Sequence, residues 1–324
     1  MTEMITVAIA GATGGVGRTI LDHLELSSNK FKVIVLSRKP PEEAAGLSAT
    51  GTKYIHIDYD DVDVLATVLG ELDVHTVIST IGISSAETSR AQCNLIKAAH
   101  KSSATKRLIP SEYWAKTVPE LLPLDPTVQW RLDAASLLQS SSLQYTRIVC
   151  GWFMDYWGMP YVKSHLSGFS WGVDLFNRRA AIPGDGKNIL SLTLVADVAR
   201  AVLLLLDAEE WPEWTFAVGD NVTFEEFLST AERLAGSKFE LTYDSLQELE
   251  NGKVTLLPKP GSTAWEASAS ETQDRKDMLT LYGKIYISGV LDLSQESPQL
   301  STVFPDWNPK KLESFLAEVW QGRP

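Results

Sequence analysis

Cysteine is nearly absent: Cys93 and Cys150 are the two in 324 residues, far apart and in apolar surroundings. Their separation offers no metal-type spacing and favours buried thiols in a reducing compartment over a structural disulfide. Basic residues are also few, 29 Lys and Arg against 41 Asp and Glu, for a net charge of −12 without any Lys/Arg-rich run. Such a chain repels phosphate backbones and anionic membrane surfaces, which argues against direct nucleic-acid or membrane partners. Long hydrophobic runs are missing too. The most apolar window, Val202 to Leu206 in a helix-like run from Leu192, is interrupted upstream by Asp197 and Arg200 and is too short to span a bilayer. No basic segment precedes the first apolar run, so the expectation is a cytoplasmic protein without a secretory leader. Asn221-Val222-Thr223 then reads as a turn and helix cap, not a glycosylation site. Gly168-Phe169-Ser170-Trp171-Gly172 has the form of a nucleophile elbow, but all five histidines precede Ser170, so the Ser-acid-His order of that hydrolase fold is absent. No His/Cys/carboxylate cluster has zinc spacing, and none of the nine tyrosines has Lys four residues on, so the usual Tyr/Lys proton relay is missing.

What is present begins with Val7 to Arg18, an apolar strand entering a glycine-rich turn and then a helix opening at about Gly15. Glycines at 11, 14 and 17 leave no Cβ where the chain must turn, where backbone must approach a pyrophosphate, and where helix must lie close on strand. The helix would aim free N–H groups and its positive end at that pyrophosphate. Strand-like runs follow at 31–36, 54–57, 73–80, 107–110 and 145–149, with helical patterns at 62–72, 87–102 and 132–138 between them. Strands alternating with helices predict an α/β protein with a doubly wound parallel sheet. A hydrophobic fraction of 44% over this length allows a large core and about two domains. After Gly151 the alternation is lost and aromatics crowd together, from Trp152 to Phe176. We expect a dinucleotide-binding domain over 1–150, with returning elements near 190–218, and mainly a substrate lobe over 151–324. Leu192 to Leu206 is expected as a helix, 215–218 as a strand, and Thr223 with Glu226 as a capping box for a helix to about Ala235. Asn308 and Pro309 are expected to open the last helix, and 258–275 reads as a loop.

The end of the second strand decides the cofactor type. An acidic residue there would bond the ribose hydroxyls of NAD, but Ser37-Arg38-Lys39 stands in that place. Two cations suit a 2′-phosphate, so NADP(H) is expected, although a solvated basic turn would have the same composition. Thr80-Ile81-Gly82 closes the fourth strand at the carboxyl edge, where ligands bind in open α/β sheets.

Several segments taken in order carry a family resemblance: the Gly11–Arg18 turn, Ile78-Ser79-Thr80-Ile81-Gly82, Lys106-Arg107-Leu108-Ile109-Pro110-Ser111-Glu112-Tyr113, Gln144-Tyr145-Thr146 and Gly151-Trp152-Phe153-Met154-Asp155-Tyr156. Over residues 5 to 235 the chain resembles the isoflavone-reductase and NmrA-like atypical short-chain dehydrogenases. The resemblance implies a Rossmann-type NADP-binding domain with a smaller C-terminal α+β substrate lobe. It also implies hydride transfer from NADPH to aromatic natural products in many members, and dinucleotide-dependent regulation of a partner protein in others. The candidate cofactor residues are Gly11, Thr13, Gly14, Gly15, Val16, Gly17, Ser37, Arg38, Lys39, Thr80, Ile81, Gly82 and Ser111.

One position departs from the family. The lysine of catalytic members, about 20 residues past the Pro-Ser-Glu segment, is Arg131 here, and the usual glycine after that segment is Trp114. Arginine stays protonated, so it can stabilise an enolate or phenolate oxygen but cannot shuttle a proton. Arg131 reads equally as a surface residue pairing with Asp133 or Asp125. Lys116 is a substitute if its loop folds back, and Tyr113 is a possible acid or a core aromatic. Trp114, Trp152, Phe153, Tyr156 and Trp157 are candidate substrate contacts by stacking, or packing residues. The expected function is NADPH-dependent reduction of an aromatic or polyketide-like small molecule in secondary metabolism. The alternatives are a non-enzymatic NADP(H)-sensing regulator that binds a partner protein, and a cofactor-independent cyclase or isomerase. No metal is expected, and the oligomeric state stays open.

Overall fold

In the computed structural model the described residues are 4–39, 51–264 and 268–323. They form two compact units: Met1–Tyr113 with Thr117–Val149 and Val198–Thr215, and Trp114–Lys116 with Cys150–Asp197 and Phe216–Pro324. The first is organised on six parallel strands, Ile5–Ala10 (β1), Phe31–Ser37 (β2), Lys53–His56 (β3), Val74–Ser79 (β4), Arg107–Ile109 (β5) and Gln144–Tyr145 (β6). Their order is β3-β2-β1-β4-β5-β6, the doubly wound Rossmann arrangement with its switch point between β1 and β4. Val7 to Ala10 have no exposed surface, as expected of a strand covered on both faces. The crossovers are Gly15–Leu26 (α1), Val62–Glu71 (α2), Ala86–Lys101 (α3) and Val128–Gln139 (α4). In α1 the apolar positions Ile20, Leu21 and Leu24 are fully buried. Asp61 caps α2, its carboxylate accepting the Val64 N–H at 2.9 Å, and Ser85 with Thr88 forms a capping box on α3. Leu65, Leu69, Leu95, Leu108 and Leu138 join Ile34 and Val77 in the core between these layers. Each contributes about 1.5–3 kcal/mol by leaving water.

Strand Arg147–Val149 (β7) belongs to the first unit, and in the second Trp152–Phe153 (β8) opens the stretch that forms two three-stranded sheets. One contains Gly172–Asp174 (β9), Arg179–Pro183 (β10) and Glu240–Asp244 (β14), and the other joins β8 to Ile189–Thr193 (β11) and Asp220–Thr223 (β13). Helix Val195–Asp207 (α5) belongs largely to the first unit, while Phe224–Ala235 (α6), Ala269–Ile287 (α7) and Leu312–Trp320 (α8) belong to the second. Phe224, Tyr286 and Trp171 centre the core, with the Phe224 ring 4.9 Å from Tyr286 and 5.2 Å from Trp171. Among the described residues, no helix is long and apolar enough to cross a membrane.

Four boundaries differ from the sequence expectation, three of them because a distant residue intervenes. The strand expected over 145–149 divides at Thr146, whose hydroxyl meets that of Thr215 at 2.7 Å, and β7 pairs with Trp214–Phe216 (β12) outside the six-stranded sheet. The helix expected from Leu192 starts at Val195, after β11, where the Asp155 carboxylate accepts the Val195 N–H at 2.9 Å. The last helix starts at Leu312, not at Pro309, because Asp220 accepts the Leu312 N–H at 2.9 Å while Asp197 holds the Lys310 N–H at 2.9 Å. The loop expected over 258–275 ends at Ser268, which caps α7 with Glu271; residues 265–267 within it lie outside the described residues.

Candidate functional site

The three glycines of the first turn serve different ends. A Cβ on Gly11, where φ is +80°, would lie 2.6 Å from the Thr80 carbonyl carbon, and one on Gly17 would lie 2.3 Å from the Thr80 hydroxyl and 2.4 Å from the Gly11 oxygen. Thr80 cannot retreat, since its hydroxyl and N–H both donate to the Ala10 carbonyl, at 2.7 and 2.8 Å. Gly11 and Gly17 are therefore required by the packing of β1, α1 and the end of β4. Gly14 is not: it is exposed, a Cβ there would meet nothing closer than 3.5 Å, and its φ of −86° suits any residue. It is the N-cap of α1 yet offers no side chain to the first-turn N–H groups, and that turn carries no acidic residue. Thr13 is exposed beside it, and Gly15 and Val16 are half-buried in the turn. An open cradle at a helix N-terminus that a Cβ would fill fits the pyrophosphate of a dinucleotide. Of the next segment, Thr80 spends its hydroxyl on β1, Ile81 is half-buried, and Gly82 is exposed with open space about it.

At the end of β2 the Ser37 hydroxyl, on a buried residue, accepts the Lys39 N–H at 3.0 Å and sets the turn that presents Arg38 and Lys39 to solvent. Burial pushes the Tyr59 phenol up, and the charge of Arg38 opposes it. Arg38 also has a partner not foreseen in the sequence, Glu87 in the first turn of α3, at 2.9 Å.

Ser111 is held by its backbone: its N–H donates to the Gln92 side-chain oxygen at 2.8 Å, which also accepts from the Ser79 hydroxyl at 2.9 Å. Gln92, buried in α3, thus ties the ends of β4 and β5, and nothing in the sequence marked it. The following residue, Glu112, forms a two-pronged ion pair with Arg147, Nε to Oε1 and Nη2 to Oε2 both at 2.8 Å, with the side chains 0% and 4% exposed. The Arg147 guanidinium lies 3.8 Å over the Trp214 ring. Burial pushes the Glu112 carboxyl up, opposed by Arg147, by Thr117 and by the charge of Arg131. Arg131, half-buried on α4, therefore lies within electrostatic reach of Glu112. The two carboxylates considered as its surface partners are engaged locally, Asp125 by the Thr127 N–H and hydroxyl and Asp133 by Gln129. Tyr113 is buried in the same unit. Lys116 belongs to the second unit, where its ammonium pairs with Glu296 at 2.8 Å and lies 5.7 Å from the Phe216 ring centroid.

The aromatic residues of the second unit separate by what their polar atoms do. Trp157 is structural: its indole N–H donates to the Trp171 carbonyl at 3.0 Å, and its own carbonyl accepts from Trp320 at 2.7 Å. Trp152 and Trp114 both border Tyr282, at ring distances of 5.0 and 6.3 Å, and both have buried indole N–H groups with no acceptor among the described residues. Trp152 also lies 4.3 Å from Trp171 and 5.9 Å from Phe169. Tyr156 lies beside Trp152 and Phe153, its phenol pushed up to about 12 by burial and then by Tyr282 and Asp155, so it stays protonated near pH 7. Phe169, Trp171 and Tyr282 complete this cluster and were not among the expected contacts. Among the described residues, no group of three or more His, Cys, Asp or Glu could hold a metal ion.

Comparison with known proteins agrees with this geometry. Residues 11–164 match the family model described as NAD(P)H-binding. The chain is similar to Oxidoreductase BOA1 of Botryotinia fuckeliana, with 36% identity over 94% of this chain and 96% of that protein. It is also similar to the NmrA-like family domain-containing oxidoreductase flvB of Aspergillus flavus, with 24% identity over 81% of this chain and 84% of that one. Among solved structures, isoflavone reductase shares the fold at a TM-score of 0.71 and 19% identity, covering 98% of this chain and 99% of that chain. With its glycine cradle on a doubly wound sheet, the chain belongs to the family of NAD(P)H-binding, NmrA-like oxidoreductases, and it shares the fold of isoflavone reductase.

Proposed function

We propose that this member is an NADPH-dependent reductase of an aromatic or polyketide-like small molecule of secondary metabolism. NADPH, when bound, supplies the hydride. The Gly14 cradle and the first turn of α1 hold the pyrophosphate, and Arg38 with Lys39 selects the 2′-phosphate. The observation that carries the substrate class is the pair of acceptor-less indole N–H groups on Trp114 and Trp152 beside Tyr282. A buried donor left unpaired costs about 1–3 kcal/mol, which a planar ligand bearing a carbonyl or phenolic oxygen would recover while stacking on the rings. Arg131 stabilises the developing oxyanion without giving up a proton, and the transferable proton is assigned to Tyr113 or Lys116.

The test is turnover: purified protein with NADPH and a panel of quinones, enones and hydroxylated aromatics, followed by loss of the reduced-cofactor absorbance. At least one member of the panel should be reduced. The same arginine in the family's lysine place favours a second reading, an NADP(H)-sensing regulator that recruits a protein partner. Tight NADPH binding with no turnover across the panel would favour that reading over reduction. Conversion of a substrate without any cofactor would favour a cyclase or isomerase instead.

A further inference from the structure

We infer that Glu87 is a cofactor-specificity residue that competes with the 2′-phosphate for Arg38. The inference rests on the NADP(H) reading above. Arg38 follows β2, where the adenosine ribose of a dinucleotide is bound in this fold, and its Nη1 donates to Glu87 Oε1 at 2.9 Å. Both side chains are about two-thirds exposed, 65% and 66%, so the pair is accessible to a ligand and weak enough to be displaced. The remaining charges nearby do not replace Glu87. Lys39 is exposed on the β2 turn, Asp60 is occupied by Arg90 at 2.9 Å, and Arg90 feels both Asp60 and Glu87.

Two consequences follow from one guanidinium serving two anions. A 2′-phosphate must take Arg38 from Glu87 and then sit near the displaced carboxylate, so Glu87 lowers NADPH affinity twice over. A cofactor with a 2′-hydroxyl has no such conflict. Glu87 can keep Arg38, so NADH binding is left unaffected. The site therefore discriminates between the two cofactors less than the Arg38-Lys39 pair alone would, and its preference depends on ionic strength because both effects are screened.

The test measures dissociation constants for NADPH and NADH by tryptophan fluorescence or calorimetry on the full chain. The variants are Glu87→Gln, Arg38→Ala and the double variant, each checked by thermal melt for folding. Glu87→Gln should tighten NADPH by about three- to tenfold at low salt, with a smaller gain at high salt and no change for NADH. Arg38→Ala should weaken NADPH relative to NADH, and Glu87→Gln should have no further benefit in that background beyond the loss of repulsion. If Arg38→Ala weakens NADPH but Glu87→Gln changes nothing, or tightens both cofactors equally, the competition is refuted while the NADP(H) reading stands. If Arg38→Ala leaves the NADPH to NADH ratio unchanged, both are refuted together.

Discussion

At Glu112, burial and charge pull in opposite directions. The carboxylate has no exposed surface and is held chiefly by the two prongs of Arg147, itself 4% exposed over Trp214, with help from Thr117 and the charge of Arg131. Removing one partner strands the other charge in the interior, so Glu112→Gln is expected to destabilise the fold by about 3–5 kcal/mol in chemical denaturation. Replacing both, Glu112→Leu with Arg147→Met, should be more stable than either single change, because no buried charge is left. A double variant no better than Glu112→Gln would show that the pair is more than a mutual neutralisation. The contrast with Arg38 explains what could be read ahead of the structure. Arg38 announces itself by its place after a strand and a glycine turn. Its partner Glu87 lies 49 residues on, and Arg147 pairs with Glu112 across 35, separations at which residue type alone names no partner. Gln92 is harder still, since a glutamine in an amphipathic helix looks like surface until its amide is found bonded to Ser79 and Ser111.

Among the elements, the local cap of α6 was legible, the local cap of α7 at Ser268 was hidden in a Pro/Gly/Ser-rich stretch, and the helix starts capped from afar were not legible. Thr223 and Glu226 cap α6 reciprocally within four residues, and α6 runs to Ala235 as expected. Leu312 and Val195 instead receive carboxylates from Asp220 and Asp155, so the motif Asn308-Pro309 pointed to a start that the fold does not use. Asp220→Ala should fray α8, lowering stability by about 1 kcal/mol, with faster hydrogen exchange confined to 312–320; unchanged exchange there would refute the cap. The β1–α1 turn allows a sharper comparison. Gly17→Ala drives a Cβ to 2.3 Å from a pinned Thr80 hydroxyl and should cost about 1–3 kcal/mol of stability. Gly14→Ala meets nothing within 3.5 Å and should melt like the wild type, yet lose NADPH affinity by at least about tenfold, because only a ligand needs that space. Loss of affinity without loss of stability at Gly14, and loss of stability at Gly17, is the expected pattern; the reverse would mean the cradle is misassigned.

For the whole molecule, a net charge of −12 means that Arg38 and Lys39, proposed to hold the 2′-phosphate, act against the general field, so on that proposal the phosphates of a dinucleotide are attracted by local geometry and not by overall charge. The alternation of strands and helices exposed the doubly wound sheet because each buried strand is continuous in sequence. The second unit was visible only as a loss of that alternation, since its sheets join segments as distant as Arg179–Pro183 and Glu240–Asp244. Its aromatic cluster could be counted in advance, but the division between satisfied Trp157 and unsatisfied Trp114 and Trp152 depends on carbonyls brought in by folding. That division, with the cradle at Gly14, supports the proposal that the bound cofactor reacts with an aromatic acceptor. The most direct measurement uses NADPH carrying deuterium at either face of the nicotinamide C4, incubated with each enone and hydroxylated aromatic of the panel, whose reduction leaves the transferred hydride on carbon, and analysed by mass spectrometry. The account predicts product bearing deuterium from one labelled face and not from the other. Saturable NADPH binding with no label in any product would contradict it.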